Sequence, residues 1–210
     1  MCGVTHLENA MKNKRLLAVS VLAVLAVAAL AAEKTYKVGG GEPSQQIATV
    51  ESVTDFETFT GSTHKVSGTI KFDKSKNKIS GKISIDVASI KTGIDLRDEH
   101  MYGDMWMNAK KFKTITFVPT KSKRVKGDEY DITGKFTMHG VTKTITIRAT
   151  LKERTASSAT KSAGFKGDVL QLKAKFSVKM SDYGIMIPKK AAARVSDKVT
   201  ISITTYAQTG

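Results

Sequence analysis

The chain has 210 residues, 40% of them hydrophobic and 25% charged, which bounds it at one domain or two small ones and excludes wholesale disorder. Three prolines exclude a proline-rich linker protein, and one cysteine excludes a disulfide scaffold or a cysteine-based zinc site. Thirty-four basic residues against nineteen acidic leave +15, which calls for an anionic partner or surroundings without saying which.

The first 32 residues read as a leader. Lys12, Lys14 and Arg15 form a basic cluster, Leu16 to Leu30 is apolar apart from Ser20, and small residues close the segment. A basic region, an apolar region and the Ala29-Leu30-Ala31 site spell a secretory signal peptide cleaved near Ala31 or Ala32. The apolar run of fifteen residues falls short of the about 20 that a spanning helix needs, which disfavours an uncleaved anchor. The ten residues before Met11 lack this character, so Met11 competes with Met1 as the start; Cys2 lies far from a lipoprotein position. Cleavage would leave residues 33–210 as a single domain without cysteine. Its charge would be +13, because residues 1–32 carry three basic groups and one acidic. The expected location is the periplasm or the extracellular medium.

Beyond a Gly-rich stretch around Gly39 to Gly41, period-two alternation dominates. Ile47–Phe59 is the exception: its apolar residues recur every third position, at Ile47, Val50, Val53, Phe56 and Phe59, as in a strand bending into a helical turn. Lys65–Phe72 and Ile79–Val87 alternate cleanly across a turn containing Asn77, the pattern of a hairpin. Thr114–Lys121, Tyr130–Met138, Thr142–Leu151, Val169–Lys179 and Lys198–Tyr206 follow. Counting Ile47–Phe59 once gives eight strands, and eight alternating strands with few helices predict an all-β, eight-stranded antiparallel barrel or a sandwich. Lysines at alternate positions argue against a membrane barrel, whose outer face is apolar.

Ser89–Phe112 lacks strand character and is expected to carry one or two short helices, one starting near Asp95. It holds the only tryptophan, Trp106, beside Met101, Met105 and Met107. A connection of this length in a compact β-domain is usually functional or a lid. Ser181–Asp197 is irregular, and Lys152–Asp168 reads as a plain loop.

Several segments resemble one family. Thr92-Gly93-Ile94-Asp95-Leu96-Arg97-Asp98-Glu99-His100-Met101 resembles the TG…RDxHL segment of the YceI family of exported lipocalin-like proteins. Trp106–Phe117, the Tyr130–Lys143 stretch with Met138-His139-Gly140-Val141-Thr142-Lys143, Ser181–Ile185 and Val195–Val199 resemble further motifs of that family in the same order. The sequence departs from the pattern at Lys113, where the family carries proline, at Lys179-Met180 in place of the usual arginine region, and near Tyr36, where no DxxHS strand is recognisable.

The resemblance implies a lipocalin-like barrel that holds a long apolar chain: a polyisoprenoid, a quinone precursor or an amphiphilic fatty amide. An eight-stranded barrel is just wide enough to fill with side chains or to hold one slender ligand. Gly68, Gly81, Gly134 and Ala149 fall on apolar faces and are expected to leave room. The candidate ligand-lining residues are Ile70, Phe72, Ile83, Ile85, Phe117, Phe136, Met138, Ile147, Leu172, Phe176 and Tyr183, with Met101, Met105, Trp106 and Met107 from the long connection. Methionine suits a flexible apolar guest, yet the same residues would look alike in a packed core, so a solid-core interaction or stress-response module stays open.

Arg97, His100 and His139 are candidates for a polar pocket. His64, His100 and His139 have no metal-ligand spacing, and no nucleophile-elbow, P-loop or dinucleotide motif appears, so no metal, no other cofactor and no catalysis are expected. The expected partners are a long-chain lipid, isoprenoid or quinone-like, and transiently an anionic membrane surface, with a homodimer left open. Basic residues spread along every strand without interleaved aromatics, which disfavours nucleic acid.

Overall fold

A computed structural model describes residues 33–39 and 42–210; the expected signal peptide lies outside the described residues. The strands are β1 (Lys34–Val38), β2 (Ile47–Val53), β3 (Thr58–Thr63), β4 (Val66–Asp73), β5 (Lys78–Asp86), β6 (Thr114–Lys126), β7 (Glu129–Met138), β8 (Val141–Arg154), β9 (Val169–Lys179) and β10 (Lys198–Gln208). All pairs are antiparallel, and the sheet closes through β1 and β10.

The register turns ten strands into eight walls. β1 and β2 both run antiparallel to β10, with Val38 opposite Ala207 and Ile47 opposite Thr204, so they are two pieces of one rising strand interrupted at residues 39–46. β3 pairs with β2 and β4 with β1, so these are two pieces of one falling strand, broken at His64 and Lys65. The eight-stranded barrel therefore stands, with a changed membership. Ile47–Phe59 is not one strand: it contains the tip of a long hairpin, and its apparent threefold spacing arises because Ile47, Val53 and Phe56 face solvent. A strand does lie at Tyr36, buried between β4 and β10.

The two interruptions touch. The His64 Nδ1–H donates to the Gln46 carbonyl, and the buried Gln46 side chain donates to the Tyr206 carbonyl at 3.0 Å and accepts from the Thr205 hydroxyl. A buried amide without those partners would cost about 1–3 kcal/mol.

The expected room at the glycines is absent, for a backbone reason. Gly68 and Gly81 have φ of +138° and +116°, and a Cβ there would lie 2.0 Å from the Lys82 carbonyl oxygen and 2.1 Å from that of Thr69. They let β4 and β5 approach each other. At Gly134 the Phe117 ring occupies the vacant space, 2.6 Å from where a Cβ would sit, and buried Ala149 faces Tyr130 across β7 and β8.

One end of the barrel is solid. Tyr36, Phe72, Tyr130, Ile132, Leu151 and Leu170 are fully buried there, with Phe72 edge-on to Tyr130 at 5.6 Å. Lys34 pins β1 to the β8–β9 connection through Asp168 at 2.9 Å and to the end of β8 through Glu153 at 3.5 Å, and the Tyr36 hydroxyl also donates to Glu153. That connection is not a plain loop: it carries helix α2 (Ser158–Ser162), opened by a capping box between Ser157 and Thr160.

Candidate functional site

The other end holds a cavity of about 940 Å³, near the top of the range for ligand pockets. Its floor is Ile85, Ile115 and Phe136, and the Phe136 ring is fixed edge-on between Phe176 at 5.7 Å and Tyr183 at 5.5 Å. Below that floor about 40 Å³ stays open, a small fraction of the chamber above it. The lumen is thus open in one half and packed in the other.

The hairpin wall supplies Ala48, Val50, Ser52, Phe59, Gly61 and Thr63; β10 adds Val199 and Ile201. None of these was legible as a lining residue in the sequence. The signal lay in Ala48, Val50 and Ser52 at alternate positions, and the small Ala48 and Ser52 side chains provide room that the glycines do not: at Gly61 too the vacant space is taken, by the Ile90 side chain 2.9 Å from where a Cβ would sit.

Residues 87–113 form the roof. Helix α1 (Asp95–Tyr102) is its centre, as expected near Asp95, and Ile90, Ile94, Leu96, Met101, Met105, Trp106 and Met107 line the cavity from this side. Residues 185–195 complete the rim with Ile185, Pro188, Ala191, Arg194 and Val195.

Of the expected lining residues, the structure gathers Ile85, Met101, Met105, Trp106, Met107, Phe136 and Met138 around the cavity. It does not gather the rest. Ile70, Ile83, Phe117, Ile147, Leu172 and Phe176 border only the small space beneath the floor, Phe72 packs on Tyr130, and Tyr183 is buried behind Phe136. Alternation reveals which face of a strand points inward but not the height at which a residue sits in the barrel. Arg97 and His100 reach the cavity wall. His139 does not: it occupies the β7–β8 turn with positive φ, its Nδ1 bonded to the Tyr183 carbonyl at 3.1 Å and its ring edge-on to Phe112 at 4.5 Å.

One buried carboxylate organises the roof. Asp98 accepts from the Thr92 amide at 2.8 Å and the Thr92 hydroxyl at 2.7 Å, with Lys91 Nζ at 3.5 Å. Burial alone would raise its carboxyl, but the Thr92 bonds and Lys91 outweigh burial and hold it below the usual carboxylate range. A depressed folded pKa stabilises the roof fully above about pH 4, and this contribution is lost as pH falls through that pKa. Asp98→Ala leaves the Thr92 N–H without its acceptor and is expected to cost about 1–3 kcal/mol. Hydrogen exchange should quicken across residues 87–113 while the packed end keeps its protection, and the acid-induced loosening of the roof should be diminished in this variant. Unchanged exchange in the roof would show that Asp98 does not anchor it.

Three segments meet at the mouth. Arg97 of α1 pairs with Glu57 of the hairpin tip at 2.6 Å and lies 4.4 Å over the Phe59 ring; Thr54 and Ser52 bond to Ala193 and Ser196 at 2.8 and 3.0 Å. Among the described residues no cluster of three or more His, Cys, Asp or Glu is disposed to hold a metal ion. The chemistry on offer is apolar enclosure with charge at the rim.

A closed eight-walled barrel enclosing one apolar cavity beneath a short helix defines a lipocalin-like protein. Within that class, the YceI-like domain family matches residues 42–207, and the chain belongs to this family. Proteins named Protein YceI from Salmonella arizonae and Salmonella newport are each 37% identical over 92 residues, 43% of this chain and 48% of theirs. The match thus spans about half the length of those curated relatives. Among solved structures, Burkholderia cenocepacia BcnA is similar with a TM-score of 0.67 and 25% identity, over 80% of this chain and 99% of that one. A polyisoprenoid binding domain from Saccharophagus degradans, implicated in plant cell wall breakdown, shares the fold at a TM-score of 0.60 and 16% identity, over 83% and 98% of the two chains.

Proposed function

We propose that this protein binds one long apolar molecule, of isoprenoid, quinone-like or acyl type, and carries or sequesters it outside the cytoplasm. The observation that carries the reading is the cavity of about 940 Å³ closed at one end by Phe136 and opening at the other through a charged rim. Each methylene moved from water into such a space contributes about 0.8 kcal/mol, so a long chain binds with little polar help. The shared fold of a polyisoprenoid binding domain supports the same ligand class. Methionines at 101, 105, 107 and 138 can reshape the wall around chains of different branching. Binding of this kind requires neither catalysis nor a cofactor. Export rests on the leader-like pattern before Glu33, and no helix among the described residues is long and apolar enough to cross a membrane.

Trp106 provides the test, because the single tryptophan lines the cavity. Titration with a polyprenol or a long-chain fatty amide should change its emission saturably at one ligand per chain. Trp106→Ala should weaken retention by about 2 kcal/mol, about thirtyfold, without unfolding the barrel. Folded protein whose emission ignores both ligand classes would overturn the reading.

A further inference from the structure

We infer that the mouth of the cavity is a docking face for the surface of an anionic lipid bilayer. The inference rests on reading the cavity as a lipid chamber and adds where the lipid enters. Exposed apolar side chains concentrate at this end. Phe56 at the hairpin tip is 81% exposed, Met105 after α1 and Met186 in the 181–197 loop are each 70%, and Leu96 in α1 is 62%. Val53 and Ile94, on the same rim, are also exposed, whereas the three remaining large exposed apolar residues, Ile47, Val125 and Val141, are less so. Scattered apolar residues need no explanation, but a group around one opening does. The three segments that carry them are tied to one another through Thr54 and Ala193, Ser52 and Ser196, and Arg97 and Glu57, so the tips are held on a common rim.

Charge selects the bilayer as the partner. Lys189, Lys190 and Arg194 lie just after Met186 and form no ion pair with a described carboxylate. Asp95, Glu99 and Asp104 lie on or beside α1 and exposed Asp55 precedes Phe56 at the hairpin tip, so the rim is basic on the loop side and acidic on the helix and hairpin sides. Headgroup contact therefore falls to the 186–194 loop, while Leu96 and Met105 enter as apolar tips. The charge of +13 on residues 33–210 attracts the whole molecule to an anionic surface before contact. Separate projecting tips suit the soft interface of a bilayer better than a rigid protein face, and a ligand entering from the bilayer need not cross water.

Phe56 and Met186 stand on the rim without lining the cavity, which separates docking from ligand retention. The experiment is flotation of the protein recovered in soluble form from its host, with vesicles of phosphatidylcholine alone or mixed with phosphatidylglycerol. The wild type should float with the mixed vesicles, weakly with the neutral ones, and be released by salt as the charges are screened. A Phe56→Ser, Met186→Ser variant should bind about tenfold less tightly. A Lys189→Gln, Lys190→Gln, Arg194→Gln variant should bind about a hundredfold less tightly. The Phe56, Met186 variant should keep wild-type thermal unfolding and ligand content. Wild-type protein that stays in solution beside anionic vesicles, or variants that float equally well, would overturn docking while leaving the cavity reading intact. A concentration-dependent dimer lost with Phe56 and Met186 would assign the face to a second copy and overturn it too. Absence of ligand from folded wild type would instead count against the cavity reading.

Discussion

An Ala48→Trp, Ile201→Trp double variant is expected to fold as the wild type does and to lose its apolar ligand, from stoichiometric to trace. Both residues are buried in the cavity wall, on neighbouring strands β2 and β10. The indoles enter open space, so the overpacking that costs about 1–3 kcal/mol in a filled core is largely avoided. What they remove is the volume in which a chain could lie. Leu172→Ala provides the opposite case. Leu172 lies beneath the Phe136 floor, where deletion leaves a void and costs about 2–5 kcal/mol, yet the ligand space is untouched. Ligand content and urea midpoint, measured on both variants, should therefore dissociate: ligand lost with stability kept in the first, stability lost with ligand kept in the second below its unfolding transition. Parallel loss of both properties in both variants would mean that the two halves of the barrel are not independent.

Gly81→Ala should be among the most damaging single-methyl additions in the chain. The new Cβ would lie 2.1 Å from the Thr69 carbonyl oxygen at a φ of +116°, so a clash with a ladder strand adds to backbone strain. Strain and overpacking together should cost about 4 kcal/mol, a large share of the about 5–15 kcal/mol that holds a domain folded. Gly127→Ala is the comparison: φ is +48° and nothing lies within 4 Å of the added methyl, so only the conformational preference of about 1 kcal/mol is lost. Equal urea midpoints for the two variants would show that β4 and β5 do not need their close approach.

Much of the fold was written in the period-two pattern. β5, β6, β7, β8, β9 and β10 begin within a residue of their expected starts, because long strands with one buried face repeat the same signal many times. The long hairpin was harder to read. Its rising strand is interrupted at residues 39–46 and its falling strand at His64 and Lys65, and each break hides the continuity that only strand pairing restores. The site was half legible for a related reason. Trp106 and its neighbouring methionines stand out in the sequence as a cluster outside any strand, whereas Ala48, Gly61 and Thr63 are conspicuous only once a cavity lies in front of them. Leu172 and Phe136 carry the same inward-facing pattern although one packs the closed end and the other floors the chamber. Height along the barrel axis follows from pairing register, which period-two alternation does not encode.

Mass spectrometry of an organic-solvent extract of the folded protein, recovered from its native host without detergent, tests whether the chamber holds a lipid. One isoprenoid, quinone-like or long-chain acyl molecule per chain is the predicted result, absent from the Ala48→Trp, Ile201→Trp variant prepared alongside. A clean extract from folded wild-type protein would contradict the lipid-chamber reading.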